Sequence, residues 1–245
     1  MSEVNAQENK AMVRDSLQKI SRMKRSNQWF FENIKPFLGK KILDAGCGNG
    51  NITVYFKDKE LVIAMDNDID IINDLRSRLF GFANLRIMKC DMANSEFVVI
   101  AKRENIDTVV CINTLEHIKE DAEIIKNFYD ILPDGGNLIL LVPAHRFLYS
   151  ALDEAAGHFR RYNKKELSKK LIENRFSILH ISYLNMFGAF GWFLLSKVMR
   201  RRKFDESSIS MYEGLANFFI LIEKTLGAPF GSSLLIVGNK FSRTK

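Results

Sequence analysis

An α/β fold built on a doubly wound parallel sheet is what this chain predicts, and three features carry the expectation. Apolar strand-like runs alternate with helical stretches between residues 41 and 142, the pattern that lays helices on both faces of a parallel sheet. The first run, Ile42-Leu43-Asp44-Ala45, enters three alternating glycines, Gly46, Gly48 and Gly50, which permit a tight turn from strand to helix. Acids, Asp66 and Asp91, stand at the ends of the second and third runs, the edge where open α/β sheets bind ligands.

The elements follow in order. Residues 8–35 read as an amphipathic helix, with Met12, Leu17, Ile20, Met23, Trp29, Phe30 and Ile34 as its apolar positions. Strands are expected at 41–45, 61–65, 85–88, 107–112 and 138–142, and helices near 50–57, 68–80, 93–103 and 119–131. Pro133-Asp134-Gly135-Gly136 is a turn leading into the fifth strand. Asn163 is placed to cap a helix over 164–174, before a sixth strand at 176–183 and a seventh at 233–240. Residues 184–230 are far too long for a hairpin loop and read as an insertion. With four prolines and no Gly/Ser tract or repeat, the 245 residues read as one domain. Its expected parts are an N-terminal helical cap (1–40), a core sheet (41–183 and 231–245) and a helical insertion or lid (184–230).

The glycine turn discriminates between ligands. A dinucleotide-binding turn has its third glycine three residues after the second, where a helix N-terminus meets a pyrophosphate. Here it comes after two, and Asp44 precedes the first glycine. An acid beside the ligand repels a pyrophosphate and suits a cation. The stretch resembles the first motif of class I S-adenosylmethionine-dependent methyltransferases, whose Rossmann-like fold has seven strands, the last antiparallel. The resemblance implies S-adenosylmethionine as cofactor and S-adenosylhomocysteine as product, with Asp44, Gly46, Cys47 and Gly48 around the methionine part. Asp66 lies 66 − 44 = 22 residues on, about where such domains place the acid for the ribose hydroxyls, and Asn67 follows it. By resemblance Asp91 and the backbone of Met92 meet the adenine, and Asn113 lies beside the transferred methyl. The alternative is that Asp66 and Asp91 cap helices. Cys47 is expected to pack rather than to react.

The formal charge of +7 and pI of about 9.2 favour anionic partners. Cys47, Cys90 and Cys111 fit neither a disulfide framework nor a zinc spacing. With a polar N-terminus that reads as no signal peptide, a reducing cytoplasmic location is expected.

For the acceptor, Asn113-Thr114-Leu115 lacks the two prolines and aromatic typical of base amino-group methylation. Carbon-5 pyrimidine chemistry would need a pocket thiolate, and Cys111 reads as buried. No Asp/Asn cluster suggests a metal, so none is expected. After the fifth strand come His145 and then Gly157-His158-Phe159-Arg160-Arg161-Tyr162. The loop combines an imidazole suited to moving a proton near neutral pH, two guanidiniums able to fork onto carboxylate or phosphate, and a phenol. His158 is the expected base and His117 a second candidate; His145, Arg160, Arg161 and Tyr162 are expected to bind substrate. The alternative for the arginines is solvated surface charge, and for Tyr162 packing at the entry to the next helix. His180 reads as structural.

Arg25-Ser26-Asn27-Gln28-Trp29, Val142-Pro143-Ala144-His145, the 157–162 loop and Pro229-Phe230-Gly231-Ser232-Ser233-Leu234 together resemble a bacterial and archaeal group of class I methyltransferases often found beside polyprenyl-phosphate glycosyltransferases. In layout the chain is similar to ubiquinone-pathway O-methyltransferases, and the resemblance adds Trp29 to the substrate side.

Residues 186–195 are apolar on every helical face, and Lys197, Arg200, Arg201, Arg202 and Lys203 follow. The apolar run falls short of the roughly 18 residues that suggest a spanning helix. With a second apolar segment at 215–222, it suits a lid that meets an anionic membrane surface through residues 186–203, at the inner membrane face. Packing on the sheet edge or against a second subunit is the alternative, so both monomer and homodimer stay open.

The expected activity is methyl transfer to an oxygen of an acidic or amphipathic small molecule or lipid-linked intermediate. An RNA-directed methyltransferase or a non-catalytic cofactor-binding module is the alternative. Nucleic acid is not favoured, because no basic-aromatic interleaving occurs outside the insertion.

Overall fold

Residues 21, 23–199 and 206–241 are described by the computed structural model. Strands β1 (Lys41–Ala45), β2 (Leu61–Asp66), β3 (Leu85–Lys89), β4 (Thr108–Ile112), β5 (Asn137–Pro143), β6 (Ser177–Leu184) and β7 (Ser233–Asn239) form one sheet in the order β3-β2-β1-β4-β5-β7-β6. The first five pair in parallel, and β7 runs antiparallel to both β5 and β6. This is the expected doubly wound sheet with its last strand reversed. The order reverses between β1 and β4, so the crevice of the switch point opens beside the glycine turn.

Central strands of such a sheet must be apolar on both faces, because helices cover both. Leu43, Ile63 and Val109, which are register partners on β1, β2 and β4, face α3 (Ser95–Arg103), α4 (Asp121–Ile131) and α6 (Lys164–Glu173). Ile42, Val62 and Val110 face the other way, onto Trp29 and Ile34 of α1 (Lys24–Ile34) and onto Phe56. Helix α2 (Ile69–Arg78) covers Ala64 with Ile72 and Leu75. Each such buried aliphatic side chain contributes about 1.5–3 kcal/mol of transfer free energy, and this fixes the strand ends that carry the site.

Two departures from expectation have local causes. The stretch expected as a helix near 50–57 forms only a 3-10 turn, Thr53–Phe56. Ile52, Thr53 and Val54 are β-branched and resist helix, and the Thr53 hydroxyl is drawn 2.6 Å onto Asp44. A further helix, α5 (Ala151–Ala156), lies in what read as loop, started by a capping box between Ser150 and Asp153 and ended by Gly157 at φ +79°. The first helix is described only at residue 21 and from Lys24 onward, so Met12, Leu17 and Ile20 lie outside the described residues.

Asn163 caps α6 as expected, accepting from Glu166 N at 2.9 Å. The segment between β6 and β7 is helical: α7 (Met186–Phe193) continues into a π turn at Leu194–Val198, and α8 (Glu206–Leu226) follows. The Glu223 carboxylate on α8 accepts from Asn185 N at 2.8 Å and Met186 N at 3.0 Å, tying α8 to the start of α7. Arg200, Arg201, Arg202 and Lys203 lie outside the described residues. Among the described residues no helix is long and apolar enough to cross a membrane.

Candidate functional site

The glycine turn is built from the backbone. Gly46, Gly48 and Gly50 all take positive φ, +76°, +48° and +70°, a region open mainly to glycine. Gly46 N and Cys47 N donate to Met65 O at 2.8 and 2.9 Å, so the turn hangs from the end of β2. A Cβ on Gly46 would stand 2.3 Å from Thr114 Cγ2, so the end of β4 closes the other side.

Asp66 joins the two parts. Its Oδ2 accepts from Gly48 N and its Oδ1 from Asp68 N, both at 3.0 Å. A carboxylate offers about four lone-pair sites, so one remains on each oxygen for a pair of hydroxyl donors. Burial raises its pKa against the lowering effect of these backbone donors. Asp44 is buried, accepts from the Thr53 hydroxyl, and is pushed up to about 6, chiefly by burial and then by Asp66. Asp91 is exposed and its Oδ1 accepts from Ala93 N at 2.9 Å, while Met92 is buried in the core. Asn67 and Asn113 are exposed; Asn113 takes φ +48° and donates its N–H to Leu141 O at 2.8 Å. Cys47 is buried, its thiol pushed well up by burial and by Asp44 and Asp66, which suits packing and not nucleophilic chemistry. Cys111 is fully buried. The residues fit the expected cofactor: close backbone approach at the glycines, open acceptors on Asp66, and acids facing a cation.

Directly after Thr114, the 3-10 segment Leu115–His117 meets the loop after α5, where Phe159 N donates to Glu116 O at 2.8 Å. His117 and His158 stand edge to face with ring centroids 4.7 Å apart. His158 Nδ1 lies 3.0 Å from Asp153 Oδ1, and its Nε2 lies 3.9 Å from Glu116 Oε1. Glu116 is fully buried, and neither of its carboxylate oxygens has a hydrogen-bond partner among the described residues. Burial pushes it up to about 7, against the pull of His158 and Arg161. Burial, then His158, holds His117 down at about 4, leaving it a neutral imidazole near pH 7. No metal is expected from the sequence, yet Glu116, His117 and His158 bring one donor atom each within 4.8 Å of one another. The 3.9 Å between Glu116 and His158 exceeds the about 3.4 Å that separates two ligands of one tetrahedral ion.

The expected substrate contacts are placed differently. Arg161 is 3% exposed, with Nε donating to Asp153 Oδ1 at 2.8 Å, Nη1 to Ala144 O at 3.2 Å, and its guanidinium 4.3 Å from the Trp192 ring centroid. It is neither surface charge nor a free fork. Arg160 donates to Asp121 at 2.9 Å and Lys119 O at 2.8 Å. Tyr162 has no exposed surface, and its hydroxyl donates to Asp121 at 2.9 Å. Trp29 is a core residue beneath the sheet. These side chains are committed to the fold because each buried donor is matched within the chain. His145, at φ +63°, stacks on Tyr183 with centroids 4.5 Å apart, and its buried Nε2 has no partner among the described residues.

Sequence reasoning singled out His117 and His158 but not Glu116 or Asp153, which the structure places beside His158. A signal for Asp153 existed in Ser150-Ala151-Leu152-Asp153, which has the spacing of a capping box; only the fold reveals that the same carboxylate reaches His158.

A family model described as a methyltransferase domain matches residues 15–181. A ubiquinone biosynthesis O-methyltransferase of Acinetobacter baylyi is 28% identical over 117 residues, covering 45% of this chain and 46% of that protein. Phosphoethanolamine N-methyltransferase 1 of Arabidopsis thaliana is 24% identical over 111 residues, covering 44% of this chain and 21% of that protein. The chain thus spans less than half the length of these two relatives. Among solved structures, an S-adenosylmethionine-dependent methyltransferase of Thermotoga maritima superposes with TM-score 0.61 at 14% identity, over 94% of this chain and 99% of that one, a likeness of fold.

Proposed function

Since the chain belongs to the methyltransferase-domain family, we propose that it transfers a methyl group from S-adenosylmethionine to an oxygen of an acidic or amphipathic small molecule or lipid-linked intermediate. The observation that carries this reading is the adjacency of the glycine turn, closed by Thr114, to Glu116 and His117, which follow Thr114 directly, and to His158, which faces Glu116 from the loop after α5. When bound, the cofactor supplies a methyl group on a sulfonium sulfur, which keeps the bonding pair as the methyl departs. Asp66 and the turn around Gly46 to Gly48 hold it, with Asp91, Met92 and Asn113 at the neighbouring strand ends. Alignment carries much of the rate in such a displacement. What the chain must add is removal of one proton, and His158 does so through Nε2, with His117 a neutral neighbour.

Calorimetry with S-adenosylhomocysteine tests the cofactor. Release of S-adenosylhomocysteine against a panel of phenols, carboxylic acids and prenyl alcohols tests the acceptor class. Full turnover in His158→Ala would remove that residue from the role of base.

Helices α7 and α8 present large apolar side chains outward. Phe190 and Phe193 on α7, Leu194 in the π turn that continues it, and Leu215, Phe218 and Leu221 on α8 are each at least 45% exposed. Such a surface, with Arg200, Arg201, Arg202 and Lys203 in sequence between the two helices, supports a lid that sits on an anionic membrane and admits a lipid-like acceptor. Flotation with vesicles containing anionic lipid is expected at low salt and should fall when the three arginines are replaced by serine. No flotation of the unaltered chain sinks this part of the reading.

A further inference from the structure

We propose that Glu116 is a second catalytic group of the acceptor pocket, facing His158 across the place of the acceptor's reacting oxygen, and that Asp153 is the positioning residue that aims His158 at it. The inference rests on the reading of His158 as the base and adds two residues to it.

Geometry carries the argument. Glu116 is fully buried, and among the described residues both its carboxylate oxygens are unpartnered, a condition folded proteins avoid unless a ligand or water completes it. The 3.9 Å from its Oε1 to His158 Nε2 is too long for a hydrogen bond. It suits one oxygen atom within about 2.8 Å of each. On the other side of the imidazole, Asp153 fixes the tautomer. Its Oδ1 also takes Arg161 Nε at 2.8 Å, and its Oδ2 takes Ser150 N at 2.9 Å. Those donors hold it ionised and acceptor-only, so the ring must present Nδ1–H to it and leave the Nε2 lone pair toward Glu116. In the reaction the acceptor's O–H bond breaks; the proton goes to His158 Nε2 and the oxygen's electron pair forms the bond to the methyl carbon. The resulting imidazolium lies between two carboxylates, Asp153 and Glu116, which stabilise it.

The groups facing Glu116 are consistent with this. His158 and Arg161 favour its ionised form and Asp153 opposes it, while the neutral His117, Tyr162 and Cys111 complete the surroundings. Its rise to about 7 means that the carboxylate and its acid both occur near neutral pH.

The test uses the full chain with two readouts. Histidine-selective ¹⁵N NMR is expected to show His158 as the Nδ1–H tautomer, with the preference lost in Asp153→Asn, a change that keeps an oxygen for the helix cap. Side-chain ¹³C spectra should show the Glu116 carboxyl titrating with a midpoint that moves upward in His158→Ala. In S-adenosylhomocysteine release with the phenol panel, Glu116→Gln should lower kcat at least tenfold with the KM for S-adenosylmethionine within threefold. An Nε2–H tautomer, a Glu116 midpoint indifferent to His158→Ala, or undiminished kcat in Glu116→Gln would each overturn the proposal. So would zinc or manganese retained through dialysis by the unaltered chain and lost from His158→Ala, for the gap would then belong to an ion. Undiminished kcat in Glu116→Gln beside an inactive His158→Ala leaves the base standing and removes Glu116 alone; an active His158→Ala removes the base itself.

Discussion

Replacing Asp66 with Asn probes the cofactor side most directly. Two of the carboxylate's acceptor sites are spent inside the chain, on Gly48 N and Asp68 N at 3.0 Å each, and two are open. Asn keeps one oxygen and turns an NH2 toward one of those backbone donors, so an internal bond and one acceptor for a ligand hydroxyl disappear together. A hydrogen bond to a charged group contributes roughly 1.5–3 kcal/mol, which puts the loss in S-adenosylhomocysteine affinity at about 10- to 150-fold. Calorimetry at pH 8 measures it, with thermal melting of the free protein as the check on folding. The sign of the pH dependence is a second signature. Asp66 has its pKa raised by burial, and a ribose donor pair binds the ionised form, so affinity should fall as pH drops through that raised value and should lose this dependence in Asp66→Asn. An affinity within threefold of the unaltered chain, in a variant that melts normally, would refute the assignment.

Two further outcomes concern the fold. Glu116, raised from 4.5 to about 7, binds its proton more tightly folded than unfolded. Stability should therefore rise as pH falls from 8 to 6.5, by about 1 kcal/mol, and level off below, where His117, held at about 4 against an ordinary 6.5, begins to favour the unfolded chain; Glu116→Gln should abolish the rise in thermal melts, and an unchanged slope would contradict the assigned burial effect. Gly46→Ala places a methyl 2.3 Å from Thr114 Cγ2 at φ +76°, whereas Gly81→Ala, at φ +99°, meets nothing within 4 Å. Both should lose about 1–2 kcal/mol to backbone strain, and only Gly46→Ala should also lose cofactor binding; equal binding in the two variants would show that the turn does not approach the cofactor.

The strands and the glycine turn were legible because their signals are local. Ile42-Leu43 and Val109-Val110 are buried wherever a parallel sheet forms, and glycine alternation answers a backbone requirement that needs no partner. The 50–57 stretch misled because its β-branched residues and the Thr53 bond to Asp44 outweighed the helix that usually follows such a turn. Arg160, Arg161 and Tyr162 misled for a different reason. Their residue types advertise ligand binding, but their partners, Asp121 and Asp153, come from other elements and absorb their donors.

By itself the sequence determined the strands and their ligand edge, and its glycine turn carried the resemblance that implied the cofactor, since strand periodicity, glycine spacing and an acid at the end of β2 each act through the neighbouring few residues. Only the tertiary structure decided which polar groups are left over. Glu116 and His158, separated by 42 positions in the chain (158 − 116), face each other at 3.9 Å because the loop after α5 folds back on the end of β4. Burial of that meeting leaves both Glu116 carboxylate oxygens without a partner among the described residues, a consequence of packing that no local pattern encodes.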